Sequence, residues 1–185
     1  MANPLIPRAQ VHTWSERIGE DAADHRTAIT RLLKDQRRLS RFVEENAQSM
    51  EGTTGGVAVY LIGVILRMFD LAGGRLRSAT WDDVRGAERH VSGFVEGLLP
   101  VDDGFLGRAR GVERAQAHIL DEALYALFVR DSKDEEQDLD DAEAFKVYML
   151  MWVATEALDK NWRPSKGTPT EASYVHTPVD DAEAG

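Results

Sequence analysis

The chain has 185 residues, no cysteine, 43% hydrophobic and 29% charged side chains, and a formal net charge of −10. This composition fits one globular domain with an ordinary core. The missing cysteines exclude disulfides, thiolate metal sites and cysteine nucleophiles, and the acidity disfavours nucleic acid and anionic lipid wherever charge is not segregated.

Segregation does occur. Residues 26–41 carry six basic side chains against Asp35, a local +5, and residues 131–143 carry eight acids against Lys133, a local −7. Met1 to Gln10 holds two prolines and no apolar stretch of the kind a secretory signal needs. The longest apolar run, Val57 to Leu66, is shorter than the roughly 20 residues that span a bilayer. A soluble, cytoplasmic protein without membrane contact is therefore expected.

Thr13-Trp14-Ser15-Glu16 has the form of a capping box and predicts a helix start. Trp14, Ile18, Ala22, His25, Ile29, Leu32, Gln36, Leu39, Val43, Ala47 and Met50 then recur at steps of three and four, forming one narrow stripe. Unbroken, that helix is about 55 Å long at 1.5 Å per residue. Gly19 is the expected position of any break, and His25 on the stripe reads as a packing residue.

The run Gly52-Thr53-Thr54-Gly55-Gly56 is a turn. It lacks the Gly-Lys-Ser/Thr ending of a phosphate-binding loop and reads as helix punctuation. Val57 to Ala72 is apolar on nearly every side and too long for a typical strand, so it predicts a central helix closed by Gly73-Gly74. Thr80-Trp81-Asp82-Asp83 predicts the next helix start. A fourth helix is expected over Val112 to Arg130. Asp138 to Asp141 offers caps for a fifth, whose segment Val147 to Ala154 is apolar all round and again central.

The fold expected is all-α: a bundle of about five helices with a long N-terminal amphipathic helix and a disordered C-terminal tail. The boundaries are an N-terminal arm over 1–12, the helical bundle domain over 13–163 and a flexible tail over 164–185, where prolines and small polar residues dominate. No β-sheet is expected.

Chemistry concentrates on the fourth helix, where Arg114, His118, Asp121, Glu122 and Tyr125 share a face. His118 and Glu122 stand one turn apart. That spacing lets an imidazole and a carboxylate share a metal, or lets the carboxylate orient the imidazole as a base. A surface ion pair uses the same spacing, and no second ligand motif accompanies it. Arg67 and Glu156 sit on the two central segments and must pair or reach the rim, because an isolated buried charge is too costly. A buried ion pair of the two is the expected arrangement.

Arg31, Lys34, Arg38 and Arg41 line up opposite the apolar stripe. No aromatic residue is interleaved among them for base stacking, so no nucleic acid partner is expected.

The function these features suggest is a non-enzymatic helical protein–protein interaction or regulatory module with no cofactor. The alternative is a small helical enzyme or a metal- or ligand-binding protein using His118 and Glu122. An uncovered 55 Å stripe would suit a protein partner or an antiparallel homodimer through the first helix, with Trp14, Ile18, Ile29 and the basic row at the interface. A break near Gly19 would instead fold the stripe back onto its own bundle.

Overall fold

The two segments that are apolar around their circumference become the two central helices. In a computed structural model of the chain, which describes residues 2–130 and 139–176, α4 (Thr54–Ala72) packs against α9 (Asp141–Asn161). The flanking helices are α1 (Arg8–Glu20), α2 (Ala22–Asp35), α3 (Arg37–Gln48), α5 (Trp81–Ser92), α6 (Val95–Leu98), α7 (Phe105–Gly111) and α8 (Ala117–Leu124), the last followed by a π-helical turn, Tyr125–Val129. The architecture is all-α, with nine α-helices among the described residues. Trp152 and Tyr148 of α9 and Phe69, Leu66 and Ile62 of α4 are fully buried. By length and composition α4 could cross a bilayer; here half of it is buried in the bundle.

The expected 55 Å helix is three helices. α1 ends at Asp21, whose side chain accepts from the Asp24 amide at 3.0 Å and so caps α2. The break thus falls two residues beyond Gly19. The second break is at Gln36. Its amide donates to the Arg77 carbonyl at 2.9 Å and its oxygen accepts from the Ala79 amide at 3.0 Å. The stripe turns inward through both breaks: Ile18, His25, Leu32, Gln36, Leu39, Val43 and Ala47 are buried, and Trp14 and Ile29 half-buried. α1, α2 and α3 wrap α4 with it, so most of the stripe is covered within the chain.

The helix start also moves. α1 begins at Arg8 with Pro7 before it, and Thr13 lies inside the helix, its hydroxyl donating to the Ala9 carbonyl. The expected arm is therefore short, and its Leu5 and Ile6 are buried. Other caps fall where the sequence places them. Thr80 and Asp83 form a reciprocal capping box on α5, and Asp140 caps α9. Asp83 also receives Lys160 at 2.8 Å and Asn161 at 3.0 Å, which ties the start of α5 to the end of α9. Burial alone would raise its pKa, but these donors hold the carboxyl well below the usual range.

Two further expectations change. A short antiparallel pair joins Arg75–Leu76 to Trp162–Arg163; two residues per strand are too few to leave a period in the sequence. The expected tail also meets the bundle over its first part. Leu5 and Glu171 exchange backbone hydrogen bonds at 2.9 and 2.8 Å. Residues 177–185 lie outside the described residues, as do residues 131–138 of the acidic stretch at 131–143.

His25 packs as expected. It is 6% exposed, edge-on to Tyr60 at 5.9 Å, and neither ring nitrogen has a hydrogen-bond partner among the described residues. Burial, then the Arg67 charge, lowers its pKa below 6.5. The unfolded chain therefore binds this proton more readily, and stability falls as pH drops from about 6.5 toward the lower folded value. One such proton gives a slope of at most about 1.4 kcal/mol per pH unit. Urea unfolding at pH 7 and pH 5 should show that loss in the wild type and a smaller one in His25→Leu. Equal losses would place the pH dependence elsewhere.

Candidate functional site

The expected fourth helix starts at Ala117 rather than Val112, and the turn before it gathers the buried polar side chains Arg114, Gln116, His118 and Asp159. Gln116, before α8, adopts a left-handed conformation at φ 47°, which costs a non-glycine residue roughly 1–2 kcal/mol. Three contacts hold it there. Its oxygen accepts from the Ile6 amide at 2.9 Å, and its nitrogen donates to the Pro4 carbonyl at 3.0 Å and to Asp159 at 2.8 Å. Asn3 adds its amide nitrogen, donating to the Asp159 and Trp162 carbonyls at 2.6 and 2.8 Å. Burial raises the Asp159 pKa against these hydrogen bonds. The network pins the N-terminal arm to the end of α9.

The turn at Gln116 puts Arg114 outside α8 and folds its side chain back against it. The Arg114 side chain is 0% exposed and Asp121 11%. One guanidinium nitrogen donates to Asp121 Oδ1 at 3.0 Å and another to the Tyr148 hydroxyl at 3.3 Å. Desolvation alone would lower the Arg114 pKa, but Tyr148 and Asp121 outweigh it and the net shift is upward.

Residues 171–176 close over this pair. The Tyr174 hydroxyl donates to Asp121 Oδ2 at 2.7 Å, and the Arg114 guanidinium lies 5.4 Å from the Tyr174 ring centre. Burial, then the hydrogen bond to and charge of Asp121, pushes the Tyr174 pKa up to about 12. The His118 side chain is 2% exposed, and its Nε2 lies 2.8 Å from Glu171 Oε2. A carboxylate accepts, so Nε2 carries the proton. His118 Nδ1 is buried without a partner among the described residues. His176 Nδ1 approaches Asp121 Oδ2 to 3.8 Å. Beside the segment is an open groove of about 410 Å³ lined by Arg8, His118, Glu171, Ala172, Ser173 and Val175.

Of the five residues expected on one face, Arg114, His118 and Asp121 converge here. Glu122 does not join them. It faces α1, where it lies 3.3 Å from His12 Nδ1, while His118 faces the C-terminal segment. The expected His118/Glu122 pair is therefore split between two partners on different elements. Tyr125 is half-buried at the start of the π turn. Among the described residues no three histidine or carboxylate side chains come together as metal ligands. Tyr148, Glu171, Tyr174 and His176 were not legible as site residues, because three lie in a segment whose composition reads as tail and Tyr148 sits within an apolar run.

The remaining expected residues are placed elsewhere. Arg67 and Glu156 do not pair with each other. Arg67 binds Asp24 at 2.9 Å and Asp70 at 3.1 Å, because its end of α4 faces α2. Glu156 accepts from the Trp152 indole at 2.9 Å and the Ala115 amide at 3.1 Å. In the basic row, Arg31 binds Asp70 at 3.0 Å and Arg41 binds Glu45 at 2.8 Å. Lys34 and Arg41 line a shallow surface groove with Glu44 and Glu45; Arg38 neighbours it in sequence.

Comparison of the chain with protein-family models, curated proteins and solved structures finds no match in any of the three.

Arg114 gives this site its energetic weight. Removing one partner of a buried pair costs about 3–5 kcal/mol, because the other charge stays desolvated. Arg114→Met should lose about that much in urea unfolding, and adding Asp121→Leu should recover a large part of it. Additive losses in the double-mutant cycle would mean that the two side chains do not act as a pair.

Proposed function

We propose that the chain is a non-enzymatic protein-interaction module that docks an extended segment on the surface formed by the N-terminal arm and α8. The observation that carries this reading is the chain's own C-terminal segment. It pairs with Leu5 through two backbone hydrogen bonds and sets Glu171 and Tyr174 onto His118 and Asp121. Backbone pairing supplies affinity and alternate side chains supply specificity wherever an extended peptide is added to a folded partner. The chain's own segment is then a tethered occupant that a partner displaces.

The same geometry weighs against the alternative, a small enzyme or metal-binding protein using His118 and Glu122. An imidazole acting as a base needs a ring nitrogen within reach of a substrate proton. His118 Nε2 is engaged by Glu171, and Nδ1 is buried. Glu122 is turned toward His12. The partner surface also moves away from the first helices, whose stripe faces the core.

A synthetic peptide of residues 168–176 tests the reading in trans. The protein used is the full chain carrying Glu171→Ala and Tyr174→Ala, which weakens its own occupant and leaves the Arg114–Asp121 pair intact. Calorimetric titration should give saturable 1:1 binding to this variant. The wild type should bind at least tenfold more weakly, because a short tether keeps its own segment at about millimolar effective concentration. A folded variant that takes up no peptide would reject the module reading.

A further inference from the structure

The docked segment presents its side chains in a pattern. Glu171, Tyr174 and His176 are half-buried toward the protein, whereas Ala172, Ser173 and Val175 are exposed, Val175 at 67%. Two of the inward positions meet groups able to discriminate. The His118 N–H is a nearly buried donor, and a carboxylate three positions before the tyrosine satisfies it with a charge-assisted bond. Asp121 already accepts from Arg114 and has its second oxygen turned to the tyrosine hydroxyl. That oxygen requires a close donor: a phenylalanine ring would leave it with only the more distant His176 Nδ1, at 3.8 Å. A phosphate ester would remove the hydroxyl proton and set a second anion against the carboxylate.

We infer that the surface recognises an extended segment of a partner protein carrying a glutamate and, three residues on, a tyrosine with a free hydroxyl, and that it rejects the same segment when that tyrosine is phosphorylated. This inference rests on the docking reading above and names the partner chemistry that reading leaves open. The segment is read at its first and fourth positions, while the second, third and fifth face solvent. Two of the three guanidinium nitrogens of Arg114 are already engaged by Tyr148 and Asp121, and the tyrosine oxygen lies 2.7 Å from the Asp121 carboxylate, which a phosphate would meet first. Phosphorylation of the chain's own Tyr174 would release its segment for the same reason and leave the surface open.

The test uses the full chain with Glu171→Ala and Tyr174→Ala and a series of peptides based on residues 168–176. Replacing the positions of Ala172, Ser173 and Val175 together should change affinity less than about threefold, since those side chains face water. Tyrosine-to-phenylalanine should weaken binding by about tenfold or more, as the loss of a hydrogen bond to a charged group does. Glutamate-to-glutamine should weaken it by about threefold to tenfold, because the amide oxygen still accepts without charge assistance. The phosphotyrosine peptide should not bind measurably. If the parent peptide binds and the phenylalanine or phosphotyrosine peptide binds as well or better, this recognition rule is overturned while the docking reading stands. If no peptide binds the folded variant, the docking reading itself falls. Should the double variant fail to unfold cooperatively, hydrogen exchange on the wild-type chain replaces the titration. Excess parent peptide should then speed exchange at the Glu171 amide and the phosphotyrosine peptide should not; equal effects from both would overturn the rule.

Discussion

Two helices without a polar face have to be enclosed, and most of the structure follows from that requirement. α4 is apolar around its circumference and α9 is buried from Ala144 to Asp159 on almost every side. Neither can lie at a surface without exposing a large apolar area, at roughly 25 cal/mol for each Å² left in water. They pack on each other, and the remaining helices cover what is left. A straight 55 Å helix would cover only one side of α4. Three shorter helices that bend around it cover far more, so the breaks at Asp21 and Gln36 serve the enclosure.

Bending has a cost in backbone polar groups, and the chain meets it with side-chain amides and carboxylates. Asp21 caps the helix it begins. Gln36 lies on the apolar stripe yet spends both ends of its amide on the loop at Arg77–Ala79. Gln116 does the same for the N-terminal arm, and Asp159 receives it. The buried amides of Gln36 and Gln116 are satisfied where they meet other elements, as a low-dielectric interior requires. Arg114 belongs to the same pattern with a full charge, which is why its surroundings gather a carboxylate and two phenols.

That gathering is also what gives the C-terminal segment something to hold. A stretch poor in large apolar side chains cannot dock by hydrophobic burial. Residues 171–176 instead use two backbone hydrogen bonds, one imidazole and one carboxylate. Contacts of this kind are directional and individually modest. They suit an interaction that exchanges occupants, and they make its selectivity depend on whether each polar atom finds its complement.

The sequence by itself determined the all-α class, the central positions of α4 and α9, the existence of an apolar stripe along what became α1 to α3, the packing role of His25 and the caps at Thr80 and Asp140. Each of these is written in local chemistry: period, apolar circumference, or a short oxygen-bearing side chain before a helix. It also marked Arg114, His118 and Asp121 as a group. Tertiary structure alone decided the break at Gln36, the left-handed turn at Gln116, the separation of His118 from Glu122, the partners of Arg67 and Glu156, and the seating of Glu171 and Tyr174. The physical reason is the same in every case. Those outcomes depend on which distant donor or acceptor reaches a buried polar atom: Arg77 for Gln36, Pro4 and Asp159 for Gln116, His12 for Glu122, Asp121 for Tyr174. Helical periodicity records which side of a helix faces the core, and carries no information about which residue far along the chain will stand opposite it.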